Sequence, residues 1–144
     1  LTAARSGRTG VAFFGGAATE DILCVDAFEA CGWMVHVTTE DGSLGRKGLV
    51  TEALDAWLAE RNADRKPEFF VCGPNAMLRA VSRRAEDADC RAWVSMDRHM
   101  ACGVGACLTC VQKVRGEDGD WTWARVCREG PVFECRDVVW EEDG

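Results

Sequence analysis

Between positions 11 and 96 the apolar residues fall into short continuous runs separated by longer stretches with helical spacing. Runs of that length suit strands buried on both faces, and the helical stripes supply their covers, so the pattern predicts a parallel sheet flanked by helices. Val11, Ala12, Phe13 and Phe14 predict a first strand ended by Gly15 and Gly16. Thr19 then stands where it can cap a helix with Glu20 and Asp21 in its first turn, running to Gly32. Residues 34–37 predict the next strand. The polar residues 38–43 follow at its carboxyl end, where open α/β sheets bind ligands. After Gly48, the residues Leu49, Val50, Ala53, Leu54, Trp57 and Leu58 form one apolar helical stripe, which Asn62 to Pro67 break. Residues 69–72 predict a short buried strand. Gly73 and Pro74 start a helix with Met77, Leu78, Val81 and Ala85 inward, and residues 91–96 predict the last strand of this part.

The pattern changes beyond Asp97. Residues 108–114 and 121–126 predict two strands around a turn at 117–120, together a hairpin. The chain therefore divides into residues 1–96, an α/β domain, and residues 97–144, a small metal-binding domain. Composition narrows the function classes. With 47% hydrophobic and 28% charged residues the chain reads as globular, and no apolar run approaches the ~20 residues of a membrane span. The segment from Leu1 to Gly7 lacks the apolar stretch of a secretory leader, which makes the cytoplasm the expected location. A net charge of -7, from 24 acidic and 17 basic residues, repels polyanions and argues against a nucleic-acid partner. Arg79, Arg83 and Arg84 read as a solvated helix face.

Nine cysteines are many for such a chain, and an odd number does not suit a disulfide framework. Cys102, Cys107 and Cys110 have the spacing C-x4-C-x2-C, and Cys127 follows 17 positions later. This is the plant-type spacing for a [2Fe-2S] cluster. Three ligands on one short loop require the backbone to turn sharply, which Gly103 and Gly105 permit through positive φ, and the freed amides can face the sulfur atoms. A structural zinc site is the competing reading, although zinc sites usually pair two C-x2-C elements. Unliganded buried thiols are a further one. Cys24, Cys31, Cys90 and Cys135 have no clustered partner and read as small core residues.

Residues 95–111 and 126–133, which hold these four cysteines, closely resemble the electron-transfer subunit of class 1B dihydroorotate dehydrogenases. Residues 39–45, 48–51 and 70–78 are similar to the same family, so the resemblance runs from about Val11 onward. It implies a ferredoxin-reductase-like pyridine-nucleotide domain joined to a [2Fe-2S] domain. Such a protein passes electrons between FAD and the FMN of a catalytic partner, with dihydroorotate as donor and NAD as final acceptor. By position, Cys102, Cys107, Cys110 and Cys127 would ligate the cluster, while Asp41, Gly42, Cys72, Gly73 and Pro74 would edge the nucleotide cleft.

Three departures accompany the resemblance. The family's flavin-binding barrel and glycine-rich strand-to-helix turn are not found in this sequence, which suggests an amino-terminal truncation. A chain so truncated would be expected to bind no FAD, to lack a central strand of the sheet, and to be inactive alone. Asp97 stands where the family commonly has glutamate, and Gly16, Ala17 and Ala18 replace a basic position. The expected assembly is a hetero-oligomer or a homodimer. Two other functions are compatible with the residues: a reductase subunit of a cytosolic hydrogenase or transhydrogenase, and a zinc-stabilised interaction module docking through Trp121, Trp123 and Trp140.

Overall fold

A computed structural model describes residues 7, 9–62, 64, 66–116 and 118–140. Leu1 to Ser6 of the amino-terminal segment, and Glu117 of the predicted turn, lie outside the described residues. The chain forms two compact units, residues 1–62 and 63–144, so the packing divides inside the predicted break at 62–67. The cysteine-bearing segment belongs to the same compact unit as the strands that immediately precede it.

In the amino-terminal unit, β1 (Val11–Gly16) and β2 (Met34–Thr39) pair in parallel, with Val11 opposite Met34 and Gly16 opposite Thr39. A two-residue strand, β3 (Arg46–Lys47), extends the sheet along β2, and was not foreseen. The helix expected over 19–32 is replaced by a 3-10 turn at Thr19–Asp21 and a five-residue helix, α1 (Val25–Glu29). Cys24, between them, takes φ +64°, which no continuous right-handed helix accommodates. Nor does Thr19 cap it: the Asp21 carboxylate accepts the N–H groups of Ala17 and Ala18 at 2.9 and 3.2 Å. Helix α2 (Val50–Glu60) buries Thr51, Ala53 and Leu54. It lies close to β1, where a Cβ on Gly15 would come within 2.7 Å of Val50 Cβ. Phe13 stacks on His36 with ring centroids 5.0 Å apart and meets Trp57 edge-on at 5.9 Å.

In the second unit, β4 (Glu68–Cys72) and β5 (Arg91–Ser95) pair in parallel around helix α3 (Asn75–Asp87), which buries Leu78, Val81, Ser82 and Ala85. Strands β6 (Val111–Arg115) and β7 (Trp121–Arg125) form the expected hairpin. An unforeseen strand, β8 (Val132–Glu134), returns to pair antiparallel with β5, placing Phe133 opposite Val94. The single parallel sheet expected from the pattern is thus corrected to two three-stranded sheets: β1-β2-β3, all parallel, and the mixed β4-β5-β8. Leu78, Ala92, Val94 and Met96 share one core with Cys110, Val126, Cys135 and Val138. No helix among the described residues is long and apolar enough to cross a membrane.

Candidate metal centre

The segment between β5 and β6 is a loop, and its conformation follows from its glycines. Gly103 and Gly105 take φ +65° and +77°, the region in which a side chain is strained. At Gly105 the restriction is doubled, since a Cβ there would sit 2.9 Å from Arg128 Cδ. This bend turns backbone N–H groups inward on Cys102. The N–H of Cys107 reaches Cys102 Sγ at 3.4 Å, and the N–H groups of Val104 and Ala106 face the same sulfur. Those donors, that of Cys107 first, hold the Cys102 thiol at about 6. A thiol so placed is mostly thiolate at neutral pH, the form that binds metal. Cys102 is exposed and Cys107 half-buried, with its thiol 3.5 Å from Thr109 Oγ1.

Cys110 and Cys127 form a second pair, assembled differently. Cys110 is buried in the core, and its carbonyl accepts the N–H of Val126 at 2.9 Å, tying the loop's end to the turn that follows β7. Cys127 stands in that turn, where Arg125 O accepts the N–H groups of Arg128 and Glu129 at 3.0 and 2.8 Å. The N–H of Cys127, and then its thiol, lower the Cys110 thiol. The Cys127 thiol is raised, first by its hydrogen bond to Cys110, then by burial and by the negative charges of Cys110 and Cys102. The two pairs therefore share one electrostatic neighbourhood. Among the described residues no three His, Cys, Asp or Glu side chains gather as ligands of a single ion. Two thiol pairs can instead serve two metal atoms, one pair to each.

Two residues of the hairpin's exit escaped the sequence reading. Arg125 donates from Nη1 to Gly105 O at 2.7 Å, and Glu129 accepts from its Nε and Nη2. The Arg-x3-Glu spacing around Cys127 was the available signal, but it resembles any surface ion pair. Met100, Val104 and Leu108 give the loop an exposed apolar rim.

The other predicted residues lie in both units. Asp41 and Gly42 follow β2, in the first unit. Asp41 Oδ1 accepts the N–H and hydroxyl of Ser43 at 2.8 and 2.7 Å, which holds its carboxyl below the usual range, and Gly42 takes φ +80°. Ser43 Oγ in turn accepts the N–H of Thr19 at 2.9 Å, so Thr19 braces this loop. In the second unit Cys72 ends β4 and is exposed. Gly73 follows at φ +153°, where a Cβ would lie 2.3 Å from Met77 Cε, and Pro74 precedes α3, its carbonyl accepting the N–H of Leu78 at 3.0 Å. Of the four cysteines read as core residues, Cys90 and Cys135 are buried, whereas Cys24 and Cys31 are exposed. Of the three tryptophans that the interaction-module alternative would dock through, Trp121 and Trp123 are exposed, whereas Trp140 is half-buried beside the core.

The thiol-bearing segment also has known relatives. Residues 97–139 match the iron-sulfur cluster binding domain of dihydroorotate dehydrogenase B. The electron transfer subunit of dihydroorotate dehydrogenase B (NAD(+)) from Caldanaerobacter subterraneus subsp. tengcongensis is 43% identical over 119 residues, which is 83% of this chain and 45% of that protein. Its counterpart from Desulforamulus reducens is 40% identical over 131 residues, 90% of this chain and 48% of the relative. That from Streptococcus thermophilus is 42% identical over 130 residues, 90% and 47% respectively. The chain thus spans about half the length of the curated relatives it matches. A solved chain of an NADH-dependent reduced ferredoxin-NADP oxidoreductase shares the fold. It has a TM-score of 0.70 and 24% identity, over 92% of this chain and 55% of that one. On its thiol-bearing segment, residues 97–139, the chain belongs to the iron-sulfur cluster binding domain family of dihydroorotate dehydrogenase B, and most of its length is similar to about half of that enzyme's electron transfer subunits.

Proposed function

We propose that Cys102, Cys107, Cys110 and Cys127 hold a [2Fe-2S] cluster, the first two on one iron and the last two on the other. The observation that carries this reading is the arrangement of the four thiols as two pairs, one of them on a loop whose amides already favour thiolate. The donor set fits the group: four sulfurs in pairs, with N–H groups of Val104, Ala106 and Cys107 to stabilise negative charge. When bound, such a cluster carries one electron at a time. The chain's own residues orient the ligands, supply the amides and present the apolar rim of Met100, Val104 and Leu108 to a partner.

In this reading the chain relays electrons between an FAD and NAD site and an FMN-containing catalytic subunit of the dihydroorotate dehydrogenase type, in pyrimidine biosynthesis. Asp41, Gly42, Cys72, Gly73 and Pro74 keep the nucleotide-binding assignment that the resemblance implies. Anaerobically purified protein is expected to be brown, with about two irons and two sulfides per chain and a paramagnetic signal on reduction that disappears in a Cys107→Ser variant. Stoichiometric zinc with no charge-transfer absorption overturns the cluster. Recovery from native extract with an FMN-containing, dihydroorotate-oxidising subunit supports the partner. Recovery with a hydrogenase subunit rejects it.

A further inference from the structure

Strand β7 ends at Arg125, and each of the three nitrogens of its guanidinium fork has a partner. Nη1 donates to Gly105 O at 2.7 Å, Nε to Glu129 Oε2 at 3.0 Å and Nη2 to Glu129 Oε1 at 2.5 Å. The backbone N–H of Arg125 also donates to Glu129 Oε2, at 2.6 Å, while the N–H of Glu129 donates to Arg125 O at 2.8 Å. Glu129 therefore closes a ring on Arg125, and Cys127 stands inside it. Bidentate, charge-assisted bonds of this kind fix orientation as well as distance.

The acceptor on the other side is specific. Gly105 is the buried residue at the centre of the thiol loop, and its carbonyl shares one rigid peptide plane with the N–H of Ala106. Clamping that oxygen sets the direction of the Ala106 N–H, one of the three that face Cys102 Sγ. The same guanidinium places positive charge beside Cys110 and Cys127. Arg125 thus touches the surroundings of both thiol pairs, whose members come from the 102–110 loop and from the turn after β7.

We propose that Arg125 is a positioning residue for the cluster site, aiming the loop amides and supplying a cation to the thiolates, with Glu129 as the counter-charge that locks and partly offsets it. This rests on the cluster reading above. Removing the cation in Arg125→Gln is expected to lower the reduction potential and to make iron extraction by a chelator roughly 10–100-fold easier, the usual cost of losing an outer-shell partner. Glu129→Gln leaves the cation without its counter-charge, so the potential is expected to rise. Arg125→Lys is expected to recover the potential while iron extraction stays fast, because an ammonium restores charge but not the fork. A purely structural role would move the potential of Arg125→Gln and Glu129→Gln in the same direction, and that result, or no shift in either, overturns the proposal.

A metal-free measurement separates this from failure of the cluster itself. In protein stripped of metal, hydrogen exchange of the Ala106 and Cys107 amides should accelerate in Arg125→Gln. If wild-type protein holds no iron-sulfur cluster, the functional reading falls, yet faster exchange still upholds the Arg125 clamp on Gly105. Unchanged exchange overturns it.

Discussion

The two compact units spend their apolar residues differently. Among the described residues of the amino-terminal unit the buried set is Ala12, Thr38, Thr39, Thr51, Ala53 and Leu54, so hydroxyls fill half of it, and its aromatic stack of Phe13, His36 and Trp57 is only half-buried. Both units leave large apolar residues exposed, among them Leu23, Met34 and Leu49 in the first and Phe70, Val104 and Leu108 in the second. The second unit has a continuous core drawn from both sides of the thiol loop: Leu78 and Val94 before it, Cys110 within it, and Val126, Cys135 and Val138 after it. The difference teaches where the candidate site gets its rigidity. A short loop with two glycines at positive φ cannot hold four thiols in place by itself. Here Cys110 is fixed by burial, and the strand β8 returns the chain to β5 just after Cys127.

The sharpest way to break that comparison is Leu78→Ala. Leu78 is fully buried, and truncation of such a leucine costs roughly 2–5 kcal/mol. If the core is shared, thermal unfolding followed by hydrogen exchange should show α3 and the cysteine segment losing protection together. Loss confined to α3 would show that the loop is anchored elsewhere. A smaller effect is expected in the other unit from Thr39→Val. Thr39 Oγ1 donates to Leu44 O at 2.9 Å and accepts its N–H at 3.1 Å, so the isosteric change should cost about 1–3 kcal/mol through the groups left unpaired. Exchange should quicken at 40–48 and stay constant at 102–110. The third expectation concerns reactivity. Because the Cys102 thiol is held at about 6, below its ordinary value of 9.0, its thiolate stability is present at alkaline pH and is lost as pH falls through about 6. Alkylation of Cys102 in metal-free protein should follow that midpoint, whereas a midpoint above 8 would show that the loop amides do not reach the sulfur.

Much of the fold was legible before the structure. The strands at 11–14, 34–37, 69–72 and 91–96 and the helices at 49–58 and 74–85 stand close to where their apolar spacing put them, because long periodic segments carry a strong local signal. What was misread had a different cause. The stretch 19–32 has a helical composition, but its middle residue Cys24 sits at positive φ, which no periodicity reports. Strands β3 and β8 contain two and three residues, too few for any pattern, and β8 exists only because β5, nearly forty positions earlier, offers it a partner. At the site, spacing named four cysteines but not how they pair, nor Arg125 and Glu129, whose partner Gly105 lies 20 positions away.

By itself the amino-acid sequence determined the chemistry available: four thiols at a spacing suited to two irons, glycines able to bend the loop between them, and a net charge that disfavours polyanions. These are properties of residues and of their near neighbours along the chain. Tertiary structure alone decided that Cys110 would be buried beside Cys127 and that a distant arginine would clamp Gly105. Burial and hydrogen-bond direction depend on which segments meet in space, and local pattern carries no record of those meetings.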